Sequence, residues 1–140
     1  MLKTILAAAA TLALLAPAAF AENRVTLDQW GAGNGAGLGQ TGSLNRLSVT
    51  QDGWNNTTIA TQDGRRNRMV VGQAGANNSA VATQGGRCNV LGVAQFGTNN
   101  GASVTQGGTC NAVGVIQSGQ GGQVTTRQHG SGNVAVVVQD

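Results

Sequence analysis

Polar and apolar residues recur along this chain with a period of 11 from residue 23 to residue 139. The anchor is glutamine, at Gln29, Gln40, Gln51, Gln62, Gln73, Gln84, Gln95, Gln106, Gln117, Gln128 and Gln139, with no insertion or deletion between copies. Two residues after each of the first ten stands a glycine: Gly31, Gly42, Gly53, Gly64, Gly75, Gly86, Gly97, Gly108, Gly119 and Gly130. Six residues before the glutamines stand Asn23, Asn34, Asn45, Asn56, Asn67, Asn78, Asn89, Asn100, Asn111 and Asn133, with Gly122 filling the one place where asparagine is missing. Within each copy the second and fourth residues after Asn are mostly apolar, as in Val25 and Leu27, Leu47 and Val49, Met69 and Val71, Leu91 and Val93, Val113 and Val115, and Ala135 and Val137. Asn, the two apolar residues and Gln share one parity, so a strand over these positions turns them all to one face. The residues between them are Thr, Ser, Arg, Gly or Val, which suits a solvent face. The four residues from Gln to the next Asn, such as Asp52-Gly53-Trp54-Asn55 and Asp63-Gly64-Arg65-Arg66, are turn-like. The recurring glycine supplies the positive φ that a tight turn needs.

Each copy is therefore expected to be a seven-residue strand and a four-residue turn, and two copies make a 22-residue coil. Coils stacked at about 4.8 Å place odd copies in one parallel sheet of six strands and even copies in another of five. The fold class is all-β: a β-solenoid of eleven strand-turn half-repeats with two parallel sheets and cross-β stacking. Equivalent amides lie above one another and can bond to the copies above and below, so buried Gln and Asn form ladders. An 11-residue period also suits a right-handed helical coil. The recurrent glycines and β-branched residues argue against that reading.

The inward side chains are few and many are Ala, so apolar burial alone does not offset the entropy of ordering the chain. Backbone and amide ladders must supply the rest, and the monomer is expected to be largely unfolded or slow to fold after export. No helix, proline or charged cap is expected over either end of the repeat array. The last strand turns Val134, Val136 and Val138 outward. Open, apolar edges of this kind invite further strands to add.

Residues 1–21 read as a secretory signal peptide, with Lys3, an apolar run from Ile5 to Leu15, and Ala19-Phe20-Ala21 before a cut at Glu22. The run is short for a membrane anchor. Residues 22–140 are then a single repeat domain. Charged residues make up 9% of the chain, well below the usual quarter. Removing Lys3 from the formal charge of +3 leaves +2, too weak a balance to point to nucleic acid by itself. Arg24, Arg46 and Arg68 fall in one outward column, and Arg65, Arg66 and Arg87 fall in turns on one edge. They are either gatekeepers against premature aggregation or a contact for an anionic surface. Cys88 and Cys110, 22 residues apart, fall in one turn column of adjacent coils, either bridged or stacked as free thiols. His129 has no carboxylate or cysteine near it in the repeat. Asp28, Asp52 and Asp63 do not form a calcium-binding repeat. No catalytic set, metal site or cofactor motif recurs, so the expectation is a chain that is not an enzyme and carries no cofactor.

The motif Gln-x-Gly-x-x-Asn-x-(Ala/Val/Leu)-x-x-x-Gln, plain in Gln73-Ala74-Gly75-Ala76-Asn77-Asn78-Ser79-Ala80-Val81-Ala82-Thr83-Gln84, resembles that of the curlin family, the subunits of bacterial curli amyloid fibres. The resemblance covers the signal peptide and all eleven half-repeats. It implies a β-solenoid subunit that passes through a dedicated outer-membrane pore and polymerises at the cell surface into adhesive, biofilm-forming fibres. Its partners would be copies of itself and other curlin subunits, with the outer-membrane surface or anionic matrix polymers as further contacts and no small-molecule substrate. The Gln and Asn series are the stacking positions the resemblance carries over. Only Glu22 precedes the first repeat, where the major subunit has a Gly/Asn-rich leader, and the arginines lean towards the minor, nucleating type. A rival class is a monomeric secreted solenoid that binds ice or glycan through the outward column Thr61, Thr83 and Thr105, although Gly39 and Arg127 break that column.

Overall fold

A computed structural model describes residues 22–140. The signal peptide expected over residues 1–21 lies outside the described residues. The described residues form eleven strands: β1 (Arg24–Ala32), β2 (Gly35–Ser43), β3 (Arg46–Trp54), β4 (Thr57–Arg65), β5 (Arg68–Ala76), β6 (Ser79–Arg87), β7 (Val90–Thr98), β8 (Gly101–Thr109), β9 (Ala112–Gln117), β10 (Gln123–Ser131) and β11 (Val134–Gln139). Odd strands make a six-stranded sheet in the order β1-β3-β5-β7-β9-β11, and even strands a five-stranded sheet in the order β2-β4-β6-β8-β10. All pairings are parallel and in register at 22 residues, Gln on Gln and Gly on Gly. This is the two-sheet β-solenoid that the 11-residue period predicts.

The alternation that makes strands is visible in burial. In β4 Thr58, Ala60 and Gln62 are buried, while Thr57, Ile59 and Thr61 face out. The core contains Leu47, Val49, Met69, Val71, Leu91 and Val93 from the odd sheet and Ala60, Ala80, Ala82, Ala102 and Val104 from the even one. The odd sheet thus supplies the larger core side chains and the even sheet mostly alanine. In β1 the same positions are open: Val25 is 49% exposed and Leu27 42%, at the end of the six-stranded sheet, where β3 is the one neighbour among the described residues.

The strand and turn lengths differ from the sequence expectation. Nine of the eleven strands are nine residues long rather than seven, and the connections shrink to two residues everywhere except at 118–122. Gly31, Gly42, Gly53, Gly64, Gly75, Gly86, Gly97, Gly108 and Gly130 therefore lie inside strands rather than in turns, and Gly119 alone sits in a bend. The reason is that the chain bends at each glycine, with φ between 88 and 121° across the set, while inter-coil hydrogen bonding continues through the bend. A corner in a solenoid is a bend in a ladder that its neighbours share. A second left-handed position follows two residues later, at Leu44, Asn55, Arg66, Asn77, Cys88, Asn99 and Cys110, with φ from 53 to 62°. Its N–H bonds to the coil below, as in Asn77 N–H to Trp54 O at 2.9 Å and Cys110 N–H to Arg87 O at 2.8 Å.

The corner glycine is required for space as well as for φ. A Cβ on Gly75 would overlap the carbonyl of Gly97 in the next coil. Gly92, on the outward face, has nothing within 4 Å of such a Cβ. Gly75→Ala is expected to disrupt its coil, seen as loss of amide-exchange protection across β5 and β7. Gly92→Ala is expected to change the unfolding free energy, measured by denaturant titration, by about 0.5 kcal/mol or less.

Candidate functional site

The inward amides form two columns. In the odd column Gln29 Nε2 donates to Gln51 Oε1 (2.6 Å), Gln51 to Gln73 (2.8 Å), Gln73 to Gln95 (2.8 Å), Gln95 to Gln117 (2.9 Å) and Gln117 to Gln139 (3.2 Å). In the even column Gln40 donates to Gln62 (2.6 Å), Gln62 to Gln84 (2.7 Å), Gln84 to Gln106 (2.8 Å) and Gln106 to Gln128 (2.9 Å). The donor always lies in the lower coil, so the ladder has a direction.

The two columns are not equivalent. Odd glutamines also reach across the interior to backbone carbonyls of the even sheet: Gln51 to Gly35 O (3.0 Å), Gln73 to Thr57 O (3.0 Å), Gln95 to Ser79 O (3.0 Å) and Gln117 to Gly101 O (3.1 Å). Thr58 joins them by donating Oγ1 to Gln73 Oε1 at 2.8 Å. These glutamines face the first apolar position of the even strands, where Thr58, Ala80 and Ala102 are small. Even glutamines make bonds only along their own column among the described residues, and the first apolar position of the odd strands holds the larger Leu47, Met69 and Leu91. The period is identical in both sheets, so sequence reasoning missed this difference. Its signal is the size alternation between odd and even copies.

The asparagines act differently from the expected amide-to-amide ladder. Their Oδ1 atoms accept from the backbone N–H of the next Asn in the column, as in Asn67 N–H to Asn45 Oδ1 (3.0 Å). Their Nδ2 atoms clamp the corner: Asn67 donates to Asp63 O (3.0 Å) before it and to Gly86 O (2.9 Å) in the next coil. Direct amide contacts occur at Asn78 to Asn56 (3.1 Å) and Asn111 to Asn89 (3.2 Å). The shorter Asn side chain sits at the corner, where bent carbonyls are closer than the next amide. Asn23, Asn34, Asn89, Asn100 and Asn133 make the same kinds of contact, less completely at the ends.

The ends are chemically distinct. Gln40 Oε1 is buried at the β2 end without a hydrogen-bond partner among the described residues. At the opposite end Gln128, 8% exposed, accepts from Gln106 but has no acceptor above its own amide among the described residues. Gly122 interrupts the asparagine column there, although its N–H still bonds Asn100 Oδ1 at 2.9 Å.

Arg24, Arg46 and Arg68 stack in register at the start of β1, β3 and β5. Arg65 and Arg87 pair in register as the last residues of β4 and β6, and Arg66 occupies the adjoining connection. All six are exposed and line one edge of the solenoid, where even strands lead into odd ones. On the same edge a disulfide joins Cys88 and Cys110, whose Cα atoms are 4.5 Å apart. On the even sheet Thr61, Thr83 and Thr105 stack in register, flanked by Gly39 and Arg127. Among the described residues, no group of three or more His, Cys, Asp or Glu could hold a metal ion.

A family model described as the curlin associated repeat matches residues 21–53 and 54–86 in tandem. No curated protein matches the chain. β7 to β11 continue the register of the matched residues without a break.

Two substitutions test the site. Gln95→Leu removes a rung and a cross-sheet bond, and Gln84→Leu removes a rung only. Both are expected to be destabilising by about 2–4 kcal/mol, the first by about 1 kcal/mol more, in denaturant unfolding followed by circular dichroism. Opening the 22-residue ring with Cys88→Ser and Cys110→Ser is expected to cost about 3 kcal/mol in the same measurement.

Proposed function

Because the chain belongs to the curlin family, a family of structural extracellular fibre subunits rather than enzymes, we propose that it self-assembles in register, as polymer or nucleator, into surface fibres that support adhesion and biofilm formation. The observation that carries this reading is the state of the two ends. The β2 end holds a buried acceptor, Gln40 Oε1, that has no donor among the described residues. The other end holds Gln128 and Gln139, the last members of columns in which every lower glutamine donates upward. An interior built on self-complementary rungs is completed at its ends by more of the same rungs. Open strand edges beside those amides add backbone donors and acceptors to the same surface.

The remaining parts of the reading come from the family. Export through a dedicated outer-membrane pore, guided by residues 1–21, would deliver an unfolded chain that folds onto an existing end. The Gln and Asn columns are its stacking positions. The six-arginine edge is an accessible contact for an anionic outer-membrane surface or matrix polymer, or else a brake on premature aggregation. The nucleator type is favoured over the major subunit by those arginines. The rival ice- or glycan-binding reading has only the three-threonine column behind it.

Purified residues 22–140 are expected to bind thioflavin and give fibres with a meridional reflection at about 4.8 Å. Trace amounts are expected to seed a homologous major subunit. A chain that stays monomeric and dye-negative at high concentration would overturn the reading. Replacing the six arginines by Gln is expected to leave fibres intact while loosening their attachment to cells. Unchanged attachment would remove the anchoring role and leave the brake.

A further inference from the structure

The described strands divide unequally, six in one sheet and five in the other. Among the described residues, β1 and β2 lie at one end of the stack, β10 and β11 at the other, and each of these has a strand on one side only. A second copy can meet the β10–β11 end in two ways. In the first, it keeps the orientation of the first copy and its β1 lands on β11. The even sheet then has an empty level between β10 and the incoming β2. The incoming Gln40 Oε1 stays unpaired, and incoming Arg24 and Asp28 lie over Val134 and Val138, which are 76% and 63% exposed.

In the second arrangement, the incoming copy is turned by half a revolution about the stack axis. Its β1 lands on β10 and its β2 on β11, and no level is empty. This is the same step that relates each half-repeat to the next within the chain, since both sheets repeat the same register and the same corner bends.

Resting on the self-stacking proposed above, we infer that copies of this chain join head to tail with a half-turn at every joint, through the free edges of β10 and β11 on one copy and β1 and β2 on the next. The chemistry of the facing residues fits this register. Gln128 and Gln139, at the donor end of their columns, meet Gln29 and Gln40, at the acceptor end, so the buried Gln40 Oε1 gains its missing donor. Arg127 meets Asp28. Both are exposed, and Arg127 is the one arginine of the described residues that lies off the basic edge. Opposite charges side by side on neighbouring strands are favourable, and like charges unfavourable. Val134, Val136 and Val138 lie beneath Gly35, Gly37 and Gly39, whose missing side chains leave room for them; at Gly35 and Gly37 a Cβ would meet nothing within 4 Å. The joint has one gap: Gly122 offers no Oδ1 to the N–H of the incoming Asn23, so a joint is weaker than an internal step.

The test uses the purified chain and two charge reversals, Arg127→Asp and Asp28→Arg. Each single variant places like charges at its own joints, and its fibre elongation at low salt is expected to slow by about fivefold or more. An equimolar mixture of the two variants is expected to elongate at close to the parental rate. When the two alternate along a fibre, every joint again sets one acidic side chain against one basic side chain. Helical reconstruction of parental fibres is expected to show a subunit rotation near 180° and a rise of about 26 Å, half of about 4.8 Å for each of the strands. Fibres with rotation near zero, or single variants that elongate normally, would overturn the joint while leaving self-assembly standing. No fibres from the parental chain would overturn self-assembly itself.

Discussion

The bond from Nε2 of one glutamine to Oε1 of its equivalent one coil away fixes almost everything else in this molecule. A primary amide buried in an apolar interior is costly unless both its donor and its acceptor are satisfied. Here one glutamine satisfies another, and the arrangement works only if the strands stay parallel and in register at 22 residues. A slip of one residue along a strand would turn every amide out to solvent and bring the outward face in. The register that aligns the amides also aligns the corner glycines, whose close stacking leaves no space for a Cβ. Polar rung and bent corner thus enforce the same spacing.

The interior is thin and polar, and that has a structural reason. At its first inward apolar position the odd sheet carries Leu47, Met69 and Leu91, whereas the even sheet carries only Thr58, Ala80 and Ala102, opposite the odd glutamines. The even backbone therefore comes within reach of the odd glutamines, which tie the two sheets together directly, as Gln95 does to Ser79 O. The asparagines handle the other demand of the fold, the carbonyls that a sharp corner leaves unpaired. Two amides of nearly the same chemistry divide the work according to length: Gln spans the gap between coils, and Asn reaches the backbone beside it.

Much of this was legible in the sequence because the repeat has no insertion. The period specified the two-sheet solenoid, its six and five strands, and the inward face with its Gln, Asn and apolar residues. What the period did not show is where the strand stops. Gly53 and Gly64 look like turn residues by type, yet lie in β3 and β4, since pairing between coils carries on through a bend that local preference marks as a break. The second left-handed position was partly readable in the doublets Asn55-Asn56, Asn77-Asn78 and Asn99-Asn100, because Asn tolerates that conformation. Leu44, Arg66, Cys88 and Cys110 hold it in the other row of corners against their own preference, and only the stack accounts for them. The inequality of the two glutamine columns was hidden for a related reason: it arises from what faces each amide across the interior, which an 11-residue period repeats identically.

The bridge between Cys88 and Cys110 gives the stack a mechanical property that hydrogen bonds do not. It closes one full coil, β7 with β8, into a covalent ring. A chain pulled from its two ends can peel coil by coil only as far as that ring. The 22 residues spanned by the bridge are withheld from the extended length, about 75 Å of contour at full stretch. Under tension the outer coils act as sacrificial length, and the ring is the link that stays knotted to itself until a reductant cuts it.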